Sequence, residues 1–228
     1  PGIPPLREAI REKLERENGI RCSADNIMVT PGGKNAIYLA IQAVLNPGDE
    51  VIIFNPAWVT YEPAVLAAHG EPVFGLLDYH NHYAITEEKL EKAYTEKTKL
   101  LIINYPNNPT GAVYPREVLE EMIKIAREND LVIFSDEIYD RLVMDGEEHV
   151  SIASLAPDLF CITFSGLSKS HMIAGFRVGW MVISGDKKKI KGYIEGLNLL
   201  SSMRLCSNVP AQSIVQTALG GVQSIDEL

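Results

Sequence analysis

Lys169 stands in Ser165-Gly166-Leu167-Ser168-Lys169, directly after the apolar run Leu159-Phe160-Cys161-Ile162-Thr163-Phe164. Arg177 follows eight residues later, inside Gly175-Phe176-Arg177-Val178-Gly179-Trp180. A strand that delivers a lysine into a small polar turn, with an arginine close behind, suits an aldehyde cofactor carrying a phosphate. The amine can form a Schiff base, and the guanidinium can clamp a phosphate with two parallel hydrogen bonds. An isolated lysine is most often a solvated surface charge, so the pair needs support from the rest of the chain.

That support comes from four further stretches. Gly32-Gly33-Lys34 opens a helical pattern, where free amides and the positive dipole end receive a phosphate. It is not a Walker loop, because Met28 and Asn35 stand where that motif needs Gly and Ser or Thr; a plain structural turn stays open. Asp136 follows a strongly apolar stretch, where a carboxylate is costly unless it meets a cation or donor. It reads either as a helix N-cap or as a partner for a protonated ring nitrogen, with Glu137 as the neighbouring solvent-facing acid. Asn107-Asn108-Pro109-Thr110-Gly111 is turn-forming by composition. Asn108 and Tyr139 can also donate to a ring oxygen, and Trp58 offers a flat face for stacking or for ordinary packing.

The elements that must position these groups alternate. Helical spacing over residues 5–18 starts at a proline and stops at Gly19. Strands are expected at 27–29, 51–54, 72–76, 99–104, 131–135, 159–164 and 178–184. Helices are expected at about 33–45, 59–69, from Thr86, 115–129, 187–203 and 209–219. Several strands are continuous apolar runs, which implies burial on both faces. The expected fold is therefore α/β: a mostly parallel sheet of about seven strands with helices on both faces, in one domain over residues 1–228. Ligands in such sheets bind beyond the carboxyl ends of the strands, where all these polar stretches fall.

Composition excludes several classes of function. The 228 residues carry a net charge of -9, and the short run Lys187-Lys188-Lys189 reads as a solvated helix start, so neither nucleic acid nor an anionic membrane surface is expected. No apolar stretch approaches a bilayer span and no signal peptide is evident, so a cytoplasmic location is expected. Three scattered cysteines make neither a disulfide framework nor a zinc site, and His80 and His82 read as a polar turn. The chain opens on Pro1 and closes, at residues 224–228, on what reads as the start of another helix, as expected of a segment of a longer protein.

In this order the residues resemble the class I/II aminotransferases, the aspartate/alanine group of fold-type I pyridoxal-phosphate enzymes. The resemblance runs over nearly the whole chain. It rests on Pro106-Asn107-Asn108-Pro109-Thr110-Gly111, Ser135-Asp136-Glu137-Ile138-Tyr139, Lys169 with Arg177, and Gly2-Ile3-Pro4-Pro5-Leu6-Arg7. The fold it implies is the large domain of that fold type. It also implies that Lys169 holds pyridoxal 5'-phosphate covalently and shuttles the substrate's α-carbon proton. Asp136 keeps the pyridine nitrogen protonated, Tyr139 and Asn108 bond the ring oxygen, and Trp58 stacks on the ring. Gly33, Lys34 through its amide, a serine (Ser165 or Ser168) and Arg177 hold the phosphate. Asn108 and Trp58 also touch substrate.

The stretch from Ser202 to Gln212 looks more like alanine than aspartate aminotransferases. Arg204 within it either reaches a partner subunit's site to bind an acidic substrate or is a surface residue. The implied reaction moves an amino group between an amino acid, alanine, and a 2-oxo acid, 2-oxoglutarate, in a homodimer with shared active sites. An aspartate or broad-specificity aminotransferase, a carbon–sulfur lyase, and a non-catalytic effector-binding domain of a regulator are the alternatives. The resemblance places an N-terminal arm before Pro1, and a small domain carrying the arginine for the substrate's α-carboxylate after Leu228.

Overall fold

The computed structural model describes residues 1–221 and 223; the helix start expected at residues 224–228 lies outside the described residues. Seven strands form one sheet: β1 (Ile27–Thr30), β2 (Glu50–Asn55), β3 (Glu71–Leu76), β4 (Thr98–Asn104), β5 (Val132–Asp136), β6 (Cys161–Gly166) and β7 (Gly179–Ser184). Their order is β1-β7-β6-β5-β4-β2-β3. The pairs β2/β3, β2/β4, β4/β5 and β5/β6 are parallel, and β7 runs antiparallel to both β6 and β1. The antiparallel strand has a simple cause. A parallel crossover needs a returning element, usually a helix, whereas residues 167–178 hold only the short 3-10 turn Ala174–Phe176.

Helices α1 (Pro4–Asn18), α4 (Glu87–Ala93), α5 (Arg116–Glu128), α6 (Ile152–Leu155) and α8 (Val209–Leu219) cover one face; α2 (Gly33–Val44), α3 (Tyr61–Ala67) and α7 (Lys187–Ser202) cover the other. Successive strand residues therefore enter different cores. Leu101 and Ile103 pack with Leu6, Ile10 and Leu119, while Leu100 and Ile102 pack with Ile37, Ile41 and Val65. This double burial is why the strands read as continuous apolar runs. Each such side chain withdrawn from water contributes about 1.5–3 kcal/mol.

Local signals set the helix ends. Helix α1 has proline in its first turn and ends at Gly19, whose φ of 67° is left-handed and whose N–H returns to the Leu14 carbonyl. Thr86 caps α4 by accepting from Lys89 N–H at 3.4 Å. One expectation is corrected: the helix expected over 59–69 spans only Tyr61–Ala67. His69, at φ 60°, turns the chain away, and a turn at residues 59–60 separates Trp58 from the helix. Among the described residues no helix is long and apolar enough to cross a membrane, and no cluster of His, Cys, Asp and Glu is placed to hold a metal.

Candidate active site

All strands except β7 point the same way, so the turns that follow β1, β2, β4, β5 and β6 meet at one edge of the sheet. They enclose a cavity of about 250 Å³. Its lining includes Gly33, Lys34, Trp58, Asn108, Asp136, Tyr139, Ser165, Ser168, Lys169 and Arg177, residues drawn from all five turns.

Asp136 closes β5 in register with Asn104 of β4 and Phe164 of β6. It caps no helix, since the residues after it form turns. Only 6% of it is exposed; Oδ2 accepts from the Tyr61 hydroxyl at 2.7 Å and Oδ1 from Ile138 N–H at 3.3 Å. Burial pushes its pKa up to about 6, against the lowering effect of those two donors. The same burial, with the Asp136 charge beside it, holds the Tyr61 phenol well above its ordinary value. Two donors leave part of a carboxylate's accepting capacity unused in a residue that lines the cavity. That arrangement fits a cationic N–H donor.

Lys169 and Arg177 are exposed at the cavity. Lys169 Nζ lies 5.6 Å from the centroid of the Tyr139 ring, and the Tyr139 hydroxyl accepts from Asn108 Nδ2 at 3.4 Å. Trp58 meets Tyr61 edge to face at 5.5 Å, and Lys34 Nζ stands 5.0 Å from its ring centre.

A cradle for an anion forms at the start of α2. The amides of Gly33 and Lys34, the first two of the helix, have no acceptor among the described residues. Gly32 has a φ of 90°, and a Cβ there would stand 2.5 Å from Arg177 Nη2, so only glycine lets the guanidinium lie against this turn. Amides, dipole and guanidinium together fit a phosphate. Ser165 turns its hydroxyl to the Glu137 carbonyl at 3.4 Å, whereas half-buried Ser168 makes no hydrogen bond among the described residues.

Two expected features lie elsewhere. Arg204 is exposed on a separate cleft in the loop between α7 and α8, with Nη1 donating to the Cys206 carbonyl at 3.2 Å. Glu137 is not solvent-facing: it is 0% exposed, on the opposite face of the sheet from Asp136. Its Oε1 accepts from Ser135 and Ser151, each at 2.8 Å, and Oε2 lies 3.0 Å from His149 Nε2. The sequence marks neither Asn104 nor Tyr61 as a partner of Asp136. What each one touches depends on strand register and on the docking of α3.

The whole chain, residues 1–228, matches the family model of the aminotransferases of class I and II. The chain belongs to that family. It is similar to the glutamate-pyruvate aminotransferase AlaA of Haemophilus influenzae, at 45% identity over 99% of this chain and 56% of the relative. It is also similar to an alanine aminotransferase of Mycobacterium tuberculosis, at 42% identity over 100% of this chain and 53% of the relative. Among solved structures it superposes on an aminotransferase from Escherichia coli with a TM-score of 0.95 and 46% identity, covering 99% of this chain and 56% of that one. The chain thus spans just over half the length of the relatives it matches. The family uses pyridoxal phosphate, and a buried acid with accepting capacity to spare, a lysine and an anion cradle on one cavity fit that cofactor.

Proposed function

We propose that this chain is the cofactor-binding domain of a pyridoxal-phosphate-dependent transaminase that moves an amino group between alanine and 2-oxoglutarate. The observation that carries the reading is the convergence of Lys169, Asp136 and the Gly33–Arg177 cradle on one cavity. The names of the similar proteins from H. influenzae and M. tuberculosis support alanine as the substrate.

When bound, pyridoxal phosphate supplies an electron sink for negative charge developing on the amino acid's α carbon. The Asp136 carboxylate would hold a proton on the ring nitrogen, in a site dry enough to make that ion pair strong. Asn108 Nδ2 and Tyr139 Oη would donate to the ring oxygen, and Trp58 would pack against the ring. The Gly33 and Lys34 amides, the Arg177 guanidinium and Ser168, a hydroxyl without a partner among the described residues, would hold the phosphate. Ser165 stays with Glu137. Lys169 Nζ would hold the cofactor through its aldehyde and would serve as the base that moves the substrate's α-carbon proton. A homodimer with shared sites and a cytoplasmic location complete the proposal, with Arg204 facing the partner's site.

The test uses the full-length protein. Mixed with pyridoxal phosphate, it develops a visible absorbance that alanine bleaches faster than aspartate does. Lys169→Ala abolishes that absorbance and lowers turnover by about 10²–10⁴-fold. A wild-type protein without the absorbance, or a Lys169→Ala variant that keeps it, overturns the reading; faster bleaching by aspartate overturns the choice of substrate.

A further inference from the structure

We infer that Asn104 is a positioning residue of this site, its single side-chain amide fixing the separation of Asp136 and Asn108. The inference rests on the reading of those two residues given above. Asn104 ends β4 directly beside Asp136 in the parallel register and is 6% exposed. Its Nδ2 donates to the Asp136 carbonyl at 2.9 Å, and its Oδ1 accepts from the Asn108 N–H at 2.8 Å. The reversed amide would set N–H against N–H and oxygen against oxygen, so the two contacts specify its orientation.

Among the described residues, the other side-chain contact from Asn108 to the segment after β5 is the longer 3.4 Å bond from its Nδ2 to the Tyr139 hydroxyl. The Asp136 carbonyl has one further donor, the Tyr105 N–H at 3.3 Å, which comes from the same turn. Apart from the Tyr139 contact and Asn104, the turn holding Asn108 is tied to its own residues: Asn107 accepts from the Thr110 N–H and hydroxyl at 3.2 and 2.8 Å, and Gly111 N–H returns to the Asn107 carbonyl at 2.8 Å. That makes the turn rigid internally and leaves Asn104, through the two shorter bonds, as its main side-chain tie to the end of β5. The acid and the ring-oxygen donor belong on different edges of one flat ring, so their spacing must hold to a few tenths of an ångström for both bonds to form.

The experiment uses the full-length protein loaded with pyridoxal phosphate. It reads two quantities besides turnover: the pH midpoint of the bound cofactor's absorbance change, and the cofactor dissociation constant. Asn104→Ala raises the midpoint by about 0.5–1 unit, because the donor to the ring oxygen is no longer held in place. It also weakens cofactor binding about tenfold. In an Asn108→Ala background, Asn104→Ala moves the midpoint no further, since the arm it positions is gone. A midpoint unchanged by Asn104→Ala, or one that shifts equally in both backgrounds, overturns the inference.

If Asn104→Ala yields no soluble protein, the isosteric Asn104→Asp carries the test. It keeps the acceptor for Asn108 and loses the donor to Asp136, and cofactor binding weakens at least about fivefold; binding as tight as wild type overturns the inference. Should the wild-type protein show no cofactor absorbance, it is the reading of the site that fails, a result distinct from normal wild-type binding with insensitive Asn104 variants.

Discussion

Asp136 and Glu137 are adjacent acids at the end of one strand, and the two sides of the sheet treat them in opposite ways. Glu137 faces the core built on α1, α5 and α8, where two serine hydroxyls and His149 meet its oxygens. Asp136 faces the cavity, with a phenol and one backbone amide for partners and a pKa pushed up to about 6 by burial. A buried carboxylate fully met by donors holds the fold together. One met only in part costs stability and is kept for a ligand.

The largest expected effect is on the Glu137 side. Glu137→Ala strands three buried donors and lowers the unfolding free energy of the cofactor-free protein by about 3–5 kcal/mol, read from denaturant unfolding. A loss below about 1 kcal/mol would break the contrast.

Asp136→Asn has the opposite sign. The folded pKa of Asp136 lies above the ordinary 3.8, so between about pH 4 and 6 the folded state binds more protons than the unfolded one. Stability then falls as pH rises through that window, and the cost is fully present above it. Removing the charge therefore raises the stability of the cofactor-free protein at pH 8 by roughly 1–3 kcal/mol, with no gain below pH 4. The same substitution slows turnover by about 10²–10³-fold. Thermal melts of the cofactor-free form across pH check the sign; a destabilised variant at pH 8 would place Asp136 with Glu137.

Tyr61→Phe sharpens the comparison with the smallest change. It removes the shorter of the two hydrogen bonds to Asp136, so the Asp136 titration midpoint, followed by carboxyl NMR shift, moves further up by about half a unit to one unit. A midpoint that stays near 6 would mean that the phenol contributes only packing.

The ends of Asn104 and Asp136 show how far the sequence reaches. Each is one polar residue closing an apolar run, and the run alone predicts a buried strand with a polar end at the ligand edge. That Lys169, Arg177 and the Gly32-Gly33 turn fall at the same edge was legible for the same reason, since each lies between an apolar run and the next element. Glu137 was misread because it follows the apolar run, and nothing local says that the hydroxyls of Ser135 and Ser151 and the ring of His149 come together around it. The α3 boundary was misjudged because its end at Ala67 is set by the left-handed His69 and its start by the turn at residues 59–60.

By itself the sequence determined the alternation of elements, the burial of the strands on both faces and the polar groups at their ends, because hydrophobic period and turn chemistry are local properties. Tertiary structure alone decided that β7 turns antiparallel and that Tyr61 reaches Asp136. It also decided that Glu137 is buried among hydroxyls and that one asparagine spans two arms of the site. Those outcomes depend on which strands become neighbours and in what register, and register is fixed only when the whole sheet packs against its helices.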